Sequence, residues 1–191
     1  MGYACTWCAV REEHADAVLA QLGLSPTAKT QDAPEALIST ARLTTGWRVI
    51  WYNEYGCPFL TPDSLAKLSQ DREVILCLIE EHVMASSSEL WASGQRQWWI
   101  SHEGENGPKG LDSEGSLPKS FASIRDELYE AQRAEGGDHA DVDYIFDIPT
   151  KVAQSITGFK HDETWPLTDE KFVVLTGQSQ PKKGFWSRFR K

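Results

Sequence analysis

Two histidines in this chain sit beside carboxylates, and these groups have the most chemistry to offer. The first is in His102-Glu103-Gly104-Glu105-Asn106. An imidazole next to two acids has the makings of a general acid–base pair or of a ligand set for a divalent metal. It falls where the apolar QWWIS segment meets a glycine-rich loop, and functional side chains concentrate at such places. The plainer alternative is a solvated loop with one histidine packed at a strand end. The second is His161-Asp162, shortly after Gly158. There the acid would orient the imidazole for catalysis, or the pair would simply pack a helix end. The candidate catalytic residues are therefore His102, Glu103, Glu105, His161 and Asp162. No HExxH, EF-hand, GxSxG or P-loop pattern accompanies them, so an enzyme is the less favoured class.

Cys5 and Cys8 have the spacing of a zinc knuckle or a redox dithiol. A redox pair needs a strand before it and a helix starting at it, because the helix N-terminus lowers the thiol pKa. Only four residues precede Cys5. A zinc site needs about four ligands, and Cys57 and Cys77 form no second close pair. On a strand, Cys5 and Cys8 would point to opposite faces. All four cysteines are expected to be buried structural thiols, with no metal and no cofactor. The N-terminus has no basic region followed by an apolar core, so a cytoplasmic protein with reduced thiols is expected.

These groups need elements to hold them. Residues 2–10 read as a strand and residues 12–22 as a helix stopped by Gly23. Residues 25–35 read as a polar loop, followed by strands in ALISTARL and WRVIWYNEY. Thr61-Pro62-Asp63 has the cap, first-turn proline and acid of a helix start. Residues 73–91 read as extended, bent or interrupted near His82. They turn at residues 92–94 into QRQWWISH as an antiparallel hairpin. Residues 103–118 are acidic, glycine-rich and expected to be irregular. A helix over 119–134 places Phe121, Ile124, Leu128 and Ala131 on one face. YIFDIP reads as a short strand or extended piece, and Asp147 and Pro149 then start a helix that carries Val152 and Ile156 and ends at Gly158. KFVVLTG reads as an edge strand. Strands with short turns between them, and no regular βα alternation, argue α+β with a mostly antiparallel sheet and three to four helices. The expected division is one domain over 1–176 and a flexible basic tail over 177–191. With 40% hydrophobic residues the chain can build a sizeable core.

Charge and aromatic content bear on partners. The net charge is −9, yet residues 181–191 carry five basic residues and no acid, so setting those five aside moves −9 to −14. An acidic body repels phosphates, which disfavours nucleic-acid binding by the main domain; the charge suits a basic protein partner or simply keeps the chain in solution. Eight tryptophans are many for 191 residues. Core packing accounts for about five; the others suit an interface, where tryptophan is enriched at energetic hot spots. Trp47 and Trp51 would share a strand face, whereas Trp98 and Trp99 would point opposite ways. The expected binding surface comprises Trp98, Trp99, Glu103, Glu105, Asp112 and Glu114. In the tail, Phe185, Trp186, Arg188, Phe189 and Arg190 alternate aromatic and positive groups, which suits an anionic membrane surface or a partner groove.

At VMASSSELWASGQRQWWISHEG and DVDYIFDIPTKVAQSITGFKHD the chain resembles a family of uncharacterised bacterial proteins grouped with polymorphic-toxin immunity proteins. The resemblance covers residues 1–165 and is one of general style, so it transfers no individual binding residue. It implies a small, acidic, cytoplasmic α+β protein with an aromatic-rich sheet. The expectation is an immunity-like protein-binding module with an acidic, tryptophan-bearing surface. The alternatives are a small hydrolase or metal-assisted enzyme centred on His102, Glu103 and Glu105, and peripheral membrane association through the tail.

Overall fold

The computed structural model describes residues 2–177. Among these residues nine strands form one sheet: β1 (Ala4–Arg11), β2 (Leu24–Gln31), β3 (Ile38–Arg42), β4 (Trp47–Tyr52), β5 (Val74–Glu80), β6 (Ala85–Ala92), β7 (Gln95–Glu103), β8 (Leu111–Gly115) and β9 (Phe172–Gly177). Their spatial order is β2-β9-β3-β4-β1-β5-β6-β7-β8, and every pairing is antiparallel. Four α-helices accompany them: α1 (Ala15–Gln21), α2 (Pro62–Leu68), α3 (Ser120–Ala134) and α4 (Asp147–Thr157). The class is α+β, as the strand-rich pattern with short connections requires.

Helices cover both faces of the sheet, but unequally. On the front face, α3 and α4 bury Phe121, Leu128, Ile148 and Val152 against Trp7, Trp51, Cys77, Trp98 and Ile100. On the back face, α1 and α2 bury Val18, Leu19, Leu65 and Leu68 against Cys8, Val10, Ile50 and Leu76. The central strands β1, β4 and β5 are thus apolar on both sides, which explains their near-continuous hydrophobic sequences. Cys5 and Cys8 fall on opposite faces, in the front and back cores respectively. Trp47 and Trp51 share the front face. Phe159 lies edge-on to Trp7 at 5.2 Å and to Trp51 at 6.3 Å, and stacks on Trp165 at 6.4 Å. Such pairs add about 0.5–1.5 kcal/mol each beyond the area they bury.

Local signals set most boundaries. The Thr61 hydroxyl accepts the Ser64 N–H at 3.3 Å and Pro62 opens α2. Gly158, at φ +80°, ends α4 and donates its N–H to the Gln154 carbonyl. Elsewhere the expectations need correction. Residues 25–35 are not a loop throughout: β2 occupies Leu24–Gln31 and pairs with β9. The first helix begins with a 3-10 turn at Glu12–His14. Residues 103–118 contain a 3-10 segment, Gly104–Lys109, and β8. Residues 144–146 form a turn and not an extended piece, whereas α4 starts at Asp147 as expected, with Pro149 tolerated in its first turn. KFVVLTG is not at an edge, since β9 lies between β2 and β3. The basic tail lies outside the described residues.

Candidate functional site

Strand alternation decides where the first histidine goes. His102 shares a face with Trp98 and Ile100, so it points into the front core and is 1% exposed. Its Nε2 lies 2.7 Å from Asp143 Oδ2. The other oxygen of Asp143 accepts the N–H groups of Ile145 at 3.0 Å and Phe146 at 3.3 Å. Burial alone would raise the Asp143 pKa, but the His102 hydrogen bond and charge, with those two N–H groups, outweigh it and hold the carboxyl below its usual range. Ser86 stands directly opposite His102 in the register. A serine, a histidine and an aspartate therefore meet, the residue types of a hydrolytic triad. Their wiring is different. The Ser86 hydroxyl donates to the Phe146 carbonyl at 2.6 Å, and Ser86 is only 2% exposed. A nucleophile must instead donate to its base and face the substrate. This trio clips the turn before α4 onto the sheet.

The neighbours proposed for His102 go elsewhere. Glu103 points to the back face, is exposed, and accepts a hydrogen bond from Asn106. Glu105 lies in the 3-10 segment and lines a cleft of about 570 Å³ with Asp138, Asp141 and Asp143. Val83 and Val142, both exposed, also line this cleft. His102 gains its carboxylate from Asp143, 41 residues away in sequence.

His161 is fully buried. Its Nε2 lies 3.1 Å from Glu81 Oε1, and its Nδ1 lies 3.6 Å from Asp162 Oδ1. Glu81 also accepts the Tyr3 N–H at 2.7 Å, and the Tyr3 ring meets the imidazole edge-on at 5.2 Å. Asp162 is held by Lys160, whose Nζ lies 2.6 and 2.7 Å from its two oxygens and 3.1 Å from Asp147. Lys160 is 3% exposed. Burial works to lower its pKa, but the carboxylates of Asp162 and Asp147 prevail and raise it. His102 and His161 are thus served by different carboxylates.

A third area is the back face of β6–β8. Trp99 sits between Glu89 and Glu114 in one cross-strand row. Its Nε1–H donates to Glu114 Oε2 at 3.0 Å. The Arg96 guanidinium lies 5.5 Å from the centre of the ring and pairs with Glu89 at 3.5 Å. Asp112 and Glu103 are exposed on the same face, in adjoining rows. Of the expected binding set, Trp99, Glu103, Asp112 and Glu114 come together here, with Glu89 and Arg96 as members that sequence reasoning missed. Trp98 does not belong to this surface: it is 2% exposed in the front core. Glu105 belongs to the cleft. Asp112 also bonds the Ser113 N–H at 2.8 Å, and the Gly115 carbonyl accepts from Leu117. Both groups face outward from β8 by antiparallel alternation, so the chain caps part of its own free edge.

Cys5, Cys8, Cys57 and Cys77 are buried free thiols. Burial pushes Cys57 up to about 12 and the other three higher still. Among the described residues no helix is long and apolar enough to cross a membrane. Phe185, Trp186, Arg188, Phe189 and Arg190 lie outside the described residues. Compared with protein-family models, curated proteins and solved structures, the chain matches none.

Proposed function

We propose that the protein is a cytoplasmic, immunity-like binding module that holds a basic protein partner against the back face of β6–β8. One observation carries the reading. The front core extends through β7, burying Trp98 and Ile100, whereas the back core takes only Trp91 from β6 and nothing from β7 or β8. Among the described residues, a large part of the sheet is therefore covered on one side only. The uncovered side bears a part-exposed tryptophan among Glu89, Glu103, Asp112 and Glu114, with Arg96 as the opposing charge. A partner arginine or lysine can replace Arg96 over the Trp99 ring and meet the surrounding acids. The partly capped edge of β8 favours docking on the face over addition of a strand at the edge. The hydrolase alternative gains little, because Ser86 and His102 are both buried and bonded to the turn before α4.

The test compares three full-length baits in a lysate pull-down: wild type, Trp99→Ala/Glu114→Lys, and Lys29→Glu on the exposed edge strand β2. A basic protein retained near stoichiometrically by wild type and Lys29→Glu, and lost by the double variant at unchanged stability, supports the reading. Loss of a buried interface tryptophan costs about 2 kcal/mol or more, roughly a 30-fold weaker complex. A partner retained equally by the double variant would place the interface elsewhere.

A further inference from the structure

The group around His161 carries an inference independent of the back face. We propose that Glu81, His161 and Asp162 form a site for one divalent first-row cation, the borderline Zn²⁺ or the harder Mn²⁺. One donor atom from each of the three lies within 4.8 Å of the others. Two ligands at about 2.1 Å on a tetrahedral ion stand about 3.4 Å apart. The observed separation of 3.6 Å from Nδ1 to Asp162 is close to that value. An ion there takes Nδ1, and Glu81, 3.1 Å from Nε2 in the metal-free arrangement, turns from that nitrogen to complete the set. A donor set of one imidazole and two carboxylates suits a borderline ion better than a purely hard or purely soft one.

The second observation is the imidazole itself. His161 is fully buried, and its Nδ1 has no hydrogen-bond partner. That nitrogen faces the Asp162 carboxylate across a gap too long for a hydrogen bond. In the tautomer whose Nε2–H donates to Glu81, the bare Nδ1 lone pair points at the Asp162 oxygen. That arrangement is unfavourable in a buried place unless a cation, a proton or a metal ion, joins the two. Charge points the same way. Asp147, Asp162 and Glu163 lie within 4 Å of the single ammonium of Lys160, and Glu81 adds a fourth carboxylate at the imidazole, on which the Tyr3 ring packs. Lys160 competes with the ion for Asp162, because its Nζ already touches both oxygens. Asp162 is the most exposed of the three side chains, at 37%, and gives the ion its way in.

The competition yields a signed test. Untagged full-length protein, stripped with chelator, is titrated with ZnCl₂ and with MnCl₂ by calorimetry. One equivalent of ion is expected per chain. Glu81→Gln and Asp162→Asn, both partly exposed and conservative, should weaken uptake by more than about 100-fold, the upper range for changing an outer-shell group alone. Lys160→Met should tighten it by about tenfold or more, since it removes a positive charge beside the site. Circular dichroism and metal-free melting check that each variant is folded, and Trp99→Ala should leave uptake unchanged. A cobalt(II) spectrum without a thiolate charge-transfer band assigns the ion away from the four cysteines. No heat with either ion at millimolar concentration would overturn the proposal. So would uptake that survives both carboxylate substitutions, or a Lys160→Met variant that binds no tighter.

Discussion

Replacing Asp143 with alanine tests whether the His102 clip is a structural fastening. The substitution removes the acceptor 2.7 Å from His102 Nε2 and the oxygen that holds the N–H groups of Ile145 and Phe146. A hydrogen bond to an ionised group contributes about 1.5–3 kcal/mol, and a lost turn or helix cap about 1 kcal/mol. The Asp143 side chain is 19% exposed, so water can reach part of what is vacated and the lower end applies. The expected cost is about 3 kcal/mol, or a fall in Tm of about 6–12 °C for a domain of this size. Asp143→Asn keeps one acceptor oxygen for the turn and should cost only about 1 kcal/mol. Urea denaturation of the three proteins at neutral pH gives both numbers. The acid limb has a defined sign. The folded Asp143 carboxyl is held below its unfolded value, so its stabilisation is complete above about pH 4 and is lost as pH falls through the lower folded pKa. The gap between wild type and Asp143→Asn should therefore be constant near neutrality and shrink in acid. A Asp143→Ala variant within about 0.5 kcal/mol of wild type would refute the reasoning. An asparagine variant as unstable as the alanine one would show that charge, not the turn, carries the effect.

The four thiols should resist Ellman's reagent at pH 8 in the folded protein and all react in urea, because burial holds Cys57 at about 12 and the others higher; rapid native labelling of any one of them contradicts this. Gly115→Ala should cost about 2–3 kcal/mol in urea melts. At φ +93° its new Cβ would fall 2.2 Å from the Gln97 carbonyl oxygen, whereas Gly46→Ala, at φ +80° with nothing within 4 Å, should cost about 1 kcal/mol; equal costs would remove the steric explanation.

What the sequence made legible was what neighbouring residues determine. Thr61-Pro62 marked the start of α2, Gly158 the end of α4, and the alternation in QRQWWISH separated Trp98 from Trp99. That same alternation already implied that His102 points away from Glu103, and following it would have dissolved the proposed cluster. What stayed hidden depended on distant partners. β2 looks like a loop because its side chains are mostly exposed and polar and it contains Pro26. Its hydrogen bonds come from β9, at the far end of the described chain. β8 was obscured by glycine and acid for the same reason. Asp143 and Glu81 could not be matched to their histidines from spacing, because the contacts span 41 and 80 residues. The back-face surface was partly visible as acids near Trp99, but Glu89 entered it only through pairing of β6 with β7.

The placing of β9 between β2 and β3 has a consequence for how the chain comes to be folded. β3 ends at Arg42 and β9 at Gly177, 135 residues later (177 − 42). At a synthesis rate of about 5–20 residues per second, the outer edge of β3 stays open for about 7–27 s after it is made. β2 has no strand to pair with for all of that time. The sheet is completed in one late step that recruits both at once, through contacts of long sequence separation that form slowly. A nascent or truncated chain lacking residues 172–177 would display an unpaired strand edge beside an aromatic core, the kind of surface that chaperones hold and aggregates grow from.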